Sequence, residues 1–278
     1  MGGHIQDRVV MVTGGGGGFG RLICEKAAAL GAGVVCTDVD EAGLTGTAAS
    51  VLAAGGRIVH QRADVTSLPD LQAAVTAGVR EFGRIDVLVN NAGIMPLAFW
   101  RDHAEAAQAW SRCLDINIKG VMNGIMAVHD QMISQGQGQV INISSIYGNF
   151  PVAGAGIYGA TKAAVNFLSE SLRVESQGRI KVTTIRPTGV PATNLGAGVV
   201  NPEAIVGILG QNTATYLAAL QGRLNTPQAD DANTPDAIGY LALAPEFIAD
   251  AVIHAIDQPW GVSVSDITVR ATGDQYIL

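Results

Sequence analysis

Charge is scarce in this chain of 278 residues: only 15% are Asp, Glu, Lys or Arg, and 17 basic residues face 24 acidic ones for a formal net charge of −7. Backbone phosphates call for a concentrated basic face, so nucleic acid is not an expected partner. Long hydrophobic runs are missing as well. No stretch reaches the roughly 18 to 20 apolar residues of a membrane span, and no charged segment leads into an apolar one at the start, so a cytoplasmic protein without a membrane partner is expected. Cysteine is limited to Cys24, Cys36 and Cys113. Their odd number, apolar surroundings and lack of a Cys-x-x-Cys pair argue against a disulfide framework and a zinc site, leave reduced packing residues, and give no reason to expect a metal. Proline is too sparse, at 10 residues, and glycine too irregular for a collagen-like repeat.

Against these shortages stand a hydrophobic fraction of 48% and 35 glycines. The apolar fraction rules out disorder, and the length suffices for a substantial core. Short apolar runs at 8–13, 34–36, 57–61, 85–90, 139–144, 180–186 and 262–269 alternate with helix-periodic segments at 21–30, 42–54, 68–82, 103–134, 158–177 and 245–257. Gly31 and Gly33 are expected to stop the first helix. The strands read as continuous apolar runs, as strands covered on both faces do, which predicts an α/β fold with a parallel sheet between two helical layers. From Pro187 to about Pro235 the rhythm lapses into Gly, Asn, Thr, Ala and Pro, with a short helical pattern at 213–220, so a lid is expected at about 188–235. No linker divides the chain, and one domain over 1–278 is expected.

The most telling motif is Thr13-Gly14-Gly15-Gly16-Gly17-Gly18-Phe19-Gly20, lying between the first strand and the first helix. Such a turn lets backbone approach a ligand closely while the helix directs free N–H groups and its positive dipole end at a phosphate. Without a following Gly-Lys-Ser/Thr, a nucleoside-triphosphate loop is disfavoured. Asp38 ends the second strand, where a carboxylate accepts hydrogen bonds from an adenosine ribose and repels a 2′-phosphate, favouring NAD over NADP. The competing role for Asp38 is a turn or helix cap beside Asp40. Tyr158 and Lys162 are four residues apart on one helical face. An ammonium beside a phenol is expected to lower its pKa and fit it for proton transfer, and Ser145, just past a strand, can steady a substrate oxygen.

Taken in order, the glycine turn, Asn90-Asn91-Ala92-Gly93, Asn117, Ser145 and Tyr158-Gly-Ala-Thr-Lys162 resemble the short-chain dehydrogenase/reductase family over nearly the whole chain. The resemblance implies a doubly wound, Rossmann-type parallel sheet of seven strands in a single domain, with a dinucleotide at its C-terminal edge. It implies a catalytic tetrad of Asn117, Ser145, Tyr158 and Lys162, with Asn117 holding a water that links Lys162 to solvent. Cofactor contacts would come from Gly14, Gly17, Gly18, Phe19 and Gly20, from Asp38 and Val39, from Asp64 and Val65 at the adenine, and from Asn91, Ala92 and Gly93 along the groove. Tyr158 and Lys162 would continue them at the nicotinamide ribose, and Pro187, Val190 and Thr193 would close them at the nicotinamide. Two departures stand out: Gly17 occupies a place where a small hydroxyl residue is frequent, and the stretch from Pro187 to Thr193 is one residue longer, which makes Thr188 an alternative carboxamide ligand.

The expected activity is therefore NAD-dependent hydride transfer with a medium-sized apolar secondary alcohol or ketone. Candidate pocket residues are Met95, Ile146, Phe150, Val152, Val190, Leu195, Val199, Val200, Ile205, Ile208, Leu209 and Leu217, although the same aliphatics would also serve simply to pack a lid. The alternatives are an NADP-dependent carbonyl or acyl-thioester reductase and a non-catalytic dinucleotide-binding module. By resemblance, the helical segments 103–134 and 158–177, with Ala127, Ala163 and Ala164, would join copies into a tetramer or dimer. The ending Tyr276-Ile277-Leu278 would dock on a neighbour or join the chain's own core.

Overall fold

The computed structural model describes residues 3–191, 193–225 and 234–277. Among them, seven parallel strands form one sheet in the order β3-β2-β1-β4-β5-β6-β7. These are β1 (Val9–Thr13), β2 (Gly33–Asp38), β3 (Arg57–Arg62), β4 (Val87–Asn90), β5 (Gly138–Ile143), β6 (Ile180–Pro187) and β7 (Asp266–Val269). The helices are α1 (Gly18–Ala29), α2 (Glu41–Ala53), α3 (Leu68–Phe82), α4 (His103–Leu114), α5 (Gly120–Ser134), α6 (Gly156–Glu175), α7 (Thr213–Asn225) and α8 (Pro245–Ile256). Ala192, the 226–233 part of the expected lid and Leu278 lie outside the described residues.

Alternation along a strand sends neighbouring side chains to opposite faces, and each face here has its own core. Val10 and Val12 join α1, α2 and α8 on one side, whereas Val9 and Met11 join α3, α5 and Leu172 of α6 on the other. The central strands are buried throughout, as their continuous apolar runs predicted. The outer strands depart from that expectation: β3 has no fully buried residue and exposes Arg57, His60 and Arg62 on one edge, and β7 alternates, exposing Asp266 and Thr268 on the other. Each has a strand on only one side, so half of its surface meets water.

Several boundaries also shift for physical reasons. The first helix starts at Gly18 rather than 21, because the glycines continue directly into it, and Gly33 opens β2 rather than ending the helix. The fourth strand begins two residues late because Gln135 brackets Ile85 at both its N–H and its C=O, while Asp86 accepts from Val9 N–H at 2.9 Å and from Arg84. The last strand is four residues shorter at its start, where Val262 N–H turns back onto Pro259 C=O. The segment 103–134 is not one α-helix: a π-helical turn at Asp115–Lys119 separates α4 from α5. Side-chain caps fix other ends, with Asp40 accepting from Ala42 N–H before α2 and Ser67 from Asp70 N–H before α3.

Candidate active site

At the C-terminal edge of the sheet, β1 and β4 are neighbours although the chain leaves β1 toward β2. In a doubly wound sheet this reversal opens a crevice, the place where such folds hold ligands. The glycine turn lies there. Gly14 has φ +67, and a Cβ on it would sit 2.9 Å from Ala92 Cα, while one on Gly20 would sit 2.0 Å from Gly14 O, so α1 packs directly beneath the turn. By contrast, nothing lies within 4 Å of a Cβ placed on Gly17 or Gly18. Gly17 is the N-cap of α1 and brings no side chain to the helix end. The result is a cradle with uncapped N–H groups and open space above them, which fits a pyrophosphate. Phe19 turns away into the core.

Two further segments line this crevice. Asp38 Oδ2 accepts from Gly16 N–H at 2.9 Å and Oδ1 from Asp40 N–H at 3.0 Å, so the carboxylate braces the turn as well as ending β2. Asp40, not Asp38, caps α2, and Val39 is exposed. Asp64 is tied into its own loop by Thr66 and Asp70, and Val65 C=O accepts from buried Asn123 at 2.8 Å. After β4, Asn91 Nδ2 donates to Thr13 O and Gly14 O at 2.9 and 3.0 Å, and the Asn91 and Ala92 N–H groups both bond Thr13 Oγ1. These bonds lock the glycine turn to the β4 edge. One strand further, Asn90, Asn142 and Ser169 form a buried chain of 2.9 and 2.8 Å hydrogen bonds that ties β4, β5 and α6 together.

The four expected catalytic residues meet beside this groove, all buried. Ser145 follows β5 in extended conformation and starts a 3-10 turn, its Oγ accepting from Tyr147 N–H at 3.3 Å. That side chain also hydrogen-bonds the Tyr158 phenol. Lys162 Nζ donates to Ile143 C=O at 2.8 Å and stands 5.8 Å from the centre of the Tyr158 ring. Asn117, carried by the π-turn, receives Ile94 N–H at 2.9 Å and donates to Ile94 O and Thr161 Oγ1 at 2.9 and 3.1 Å. A Cβ on Gly93 would come within 3.2 Å of Asn117 Oδ1 and 3.7 Å of Lys162 Nζ, so these two side chains converge on that glycine.

Burial dominates the electrostatics. It pushes the Tyr158 phenol up to about 12, against the Ser145 hydrogen bond, and brings Lys162 down to about 8. The expected lowering of the Tyr158 pKa is therefore not what the protein alone displays. Desolvation of the phenolate outweighs the opposing Ser145 hydrogen bond.

At the expected nicotinamide end Pro187 is buried, and Val190 packs on the α1/α8 side of the core. The two candidate threonines differ: Thr193 Oγ1 bonds its own Val190 C=O at 3.3 Å, whereas the buried Thr188 Oγ1 has no partner among the described residues. The expected pocket residues divide. Met95, Val152 and Val199 pack around Tyr158, Leu97 and Ala155, while Ile146, Ile208 and Leu209 are buried with Tyr216 and Leu241. Val200 packs on Trp110, Leu195 is half-buried, and Phe150, Ile205 and Leu217 are exposed. The segment expected to form a lid is tied down by Leu97 C=O, which accepts from the Val200 and Asn201 N–H groups, and by Asn201 Nδ2 donating to Asp102 at 2.8 Å. A cavity of about 160 Å³ lined by Phe99, Trp100, Trp110 and Ile157 adjoins this wall and was not foreseen. Tyr147, set edge-on to Tyr158 at 5.6 Å between centroids, was also overlooked, although its place two residues after Ser145 was a signal. Among the described residues no His, Cys, Asp and Glu cluster could hold a metal, and no helix is long and apolar enough to cross a membrane. All three cysteines are free and buried.

Comparison with known proteins agrees with this geometry. The profile described as short chain dehydrogenase matches residues 8–203. A curated relative, the 2,5-dichloro-2,5-cyclohexadiene-1,4-diol dehydrogenase LinX of Sphingobium indicum, is 35% identical over 191 residues, 68% of this chain and 76% of the relative. A short-chain dehydrogenase/reductase of Burkholderia phymatum solved with NAD superposes with TM-score 0.74 at 28% identity, covering 95% of this chain and 89% of that one. A metagenomic short-chain oxidoreductase solved with NADP gives 0.72 at 26%, covering 97% and 99%. The profile match, the seven-stranded parallel sheet and the dinucleotide-bound neighbours lead to one conclusion: the chain belongs to the short-chain dehydrogenase family of oxidoreductases.

Proposed function

We propose that the protein transfers a hydride between NAD(H) and a medium-sized, largely apolar secondary alcohol or its ketone, with Tyr158 exchanging the hydroxyl proton. The observation that carries this reading is the buried Ser145–Tyr158 hydrogen bond with the Lys162 ammonium across the ring, beside an open glycine cradle. A bound dinucleotide supplies the hydride acceptor or donor. Ser145 Oγ positions the substrate oxygen next to the phenol, and Lys162 opposes the burial that holds Tyr158 protonated. Asn117 positions Lys162 from the π-turn and, with the backbone around Ile94, holds the water that connects it to solvent.

The cofactor contacts follow the cradle. Gly14, Gly17, Gly18, Phe19 and Gly20 take the pyrophosphate through backbone N–H groups. Asp38 and Val39 take the adenosine ribose, Asp64 and Val65 the adenine, and Asn91, Ala92 and Gly93 the groove wall. Pro187 and Val190 back the nicotinamide, and the unpartnered Thr188 hydroxyl, rather than that of Thr193, is the better donor to its carboxamide. Asp38 supports NAD, since a 2′-phosphate would meet its carboxylate. The apolar wall around Tyr158 suits an uncharged substrate, and the LinX relative, named for a ring alcohol, is in keeping with that. The 188–235 segment serves as the lid over this substrate. A cytoplasmic location follows from the proposed soluble chemistry. Copies associate as a tetramer or dimer through α5 and α6, where Met122, Met126 and Phe167 are exposed.

The test compares initial rates with NAD and NADP over a panel of secondary alcohols, for the wild type and Tyr158→Phe. NAD should be preferred, and the variant should lose roughly 100-fold or more in rate while binding NADH normally. Undiminished turnover by Tyr158→Phe would overturn the assignment, and a clear NADP preference would overturn the role given to Asp38.

A further inference from the structure

We infer that Thr161 is a positioning residue for the reaction: its hydroxyl ties Asn117, on the π-turn, to the turn of α6 that carries Tyr158 and Lys162, and thereby sets the rate of turnover rather than the affinity for substrate. This rests on the hydride-transfer reading above and adds to it a residue that acts through Asn117.

Thr161 is fully buried and lies between Tyr158 and Lys162 on α6. As threonines within helices do, it turns its hydroxyl back onto its own helix, donating to Tyr158 C=O at 2.7 Å. With the hydrogen so used, the oxygen is left to accept, and Asn117 Nδ2 donates to it at 3.1 Å. One hydroxyl thus joins the π-turn at Asp115–Lys119 to the helix that bears the phenol and the ammonium.

The rest of the Asn117 amide is already committed. Its Oδ1 receives Ile94 N–H and its Nδ2 donates to Ile94 C=O, both at 2.9 Å, so its direction is set by the chain beyond β4. What Ile94 leaves over is the second amide hydrogen, in a buried place where an acceptor is needed. The Cys113 thiol stands 3.3 Å from the same nitrogen, but burial raises its pKa to about 11 and keeps it a neutral thiol, which is a weak acceptor. Thr161 is the stronger partner, and without its oxygen the amide is drawn toward sulfur and away from α6. Such a shift reaches the ammonium. Asn117 Oδ1 and Lys162 Nζ flank the same glycine, 3.2 and 3.7 Å from the place of a Cβ on Gly93, and Lys162 follows Thr161 directly. The bond from Asn117 to Thr161 therefore keeps Oδ1 in register with Nζ, where displacement by about an ångström costs up to roughly 100-fold in rate. The wall of Met95, Val152 and Val199 around the Tyr158 ring takes no part in this link, so affinity for an apolar alcohol is spared.

The experiment measures kcat and KM of the full-length protein for cyclohexanol, menthol and borneol, with NAD and with NADP, and carries the best of these substrates through the variants. Thr161→Val keeps the shape and removes the hydroxyl. Thr161→Ala, smaller and equally without a hydroxyl, separates loss of the hydrogen bonds from a misfit of Val, and Thr161→Ser restores the oxygen. Val and Ala should each lower kcat by roughly fivefold to tenfold with KM for the alcohol and Kd for NADH within about twofold, and Ser should stay within about twofold of the wild type in kcat. On the background of Asn117→Ala, measured with enzyme in excess of substrate, Thr161→Val should cost at most about twofold more, because its effect passes through that amide. An unchanged kcat in both Val and Ala, a rise in KM as large as the fall in kcat, a Ser variant as slow as Val, or a full further loss on the Asn117→Ala background would each overturn the inference while leaving hydride transfer standing. A wild type that oxidises none of the three alcohols with either cofactor counts against the hydride-transfer reading itself and removes the inference with it.

Discussion

Lys162 is a buried ammonium whose hydrogen bond goes to the Ile143 carbonyl, and burial lowers its pKa from 10.5 to about 8. Between those values the unfolded chain binds more protons than the folded one, so this group's contribution to stability rises with pH across the window and its cost is complete below about pH 8. Lys181, lowered to about 8 by burial, acts in the same direction, so the informative quantity is the difference between variants. Lys162→Met should be more stable than the wild type at pH 7 by on the order of 2 kcal/mol. Its advantage should shrink toward pH 10 while activity is lost at both. Urea midpoints at the two pH values measure this, and a constant difference would show that Lys162 is not an internal charge. Ser145, Tyr158 and Lys162 were legible because short spacings along a strand end and a helix survive folding unchanged. The direction of the Tyr158 shift was not, since desolvation depends on what covers the ring, and residues far apart in sequence supply the cover. The proposed preference for Thr188 over Thr193 likewise rests on the three-dimensional hydrogen-bond pattern, which the sequence does not carry.

Among the elements, α1 owes its most useful property to what its N-cap lacks. Gly17 is an N-cap in extended backbone, without a side-chain hydrogen bond and with nothing within 4 Å of a Cβ placed there. Gly17→Ser should therefore fit without displacement and cap the helix, adding a few tenths of a kcal/mol. Thermal unfolding should show a small rise in the midpoint, and a fall would mean that the turn is packed from above. Most strands and helices could be placed from sequence because apolar periods of two and 3.6 residues report which face is covered. The π-turn at 115–119 escaped because it inserts one residue into a helix whose apolar pattern continues on both sides. Its effect is nonetheless specific: it carries Asn117 at the point where α4 gives way to α5, facing Ile94 and Thr161.

For the whole molecule, the resemblance implied seven parallel strands in a doubly wound sheet, but their order came from the structure, because no local pattern tells β1 that β4 rather than β3 will be its second neighbour. In the ending, Tyr276 packs with Tyr216 and Ile277 N–H donates to Ile208 C=O at 3.1 Å, while the Ile277 side chain is exposed. The proposed assembly rests on the helical layer. On α6, Ala163 and Phe167 are exposed one turn apart, with Phe167 at 77%, and on α5 Met122 and Met126 repeat the pattern. Phe167→Glu should lower the mass seen by light scattering, and an unchanged multimer would exclude this face. The two outer strands carry a consequence of a different kind. A strand with one free side is a template for aggregation, yet here Arg57, His60 and Arg62 project from β3, and Asp266, paired with Arg186, starts a β7 of only four residues. Charge and brevity together close the sheet to recruits, so a protein with exposed apolar side chains on its helices is kept from growing into fibres.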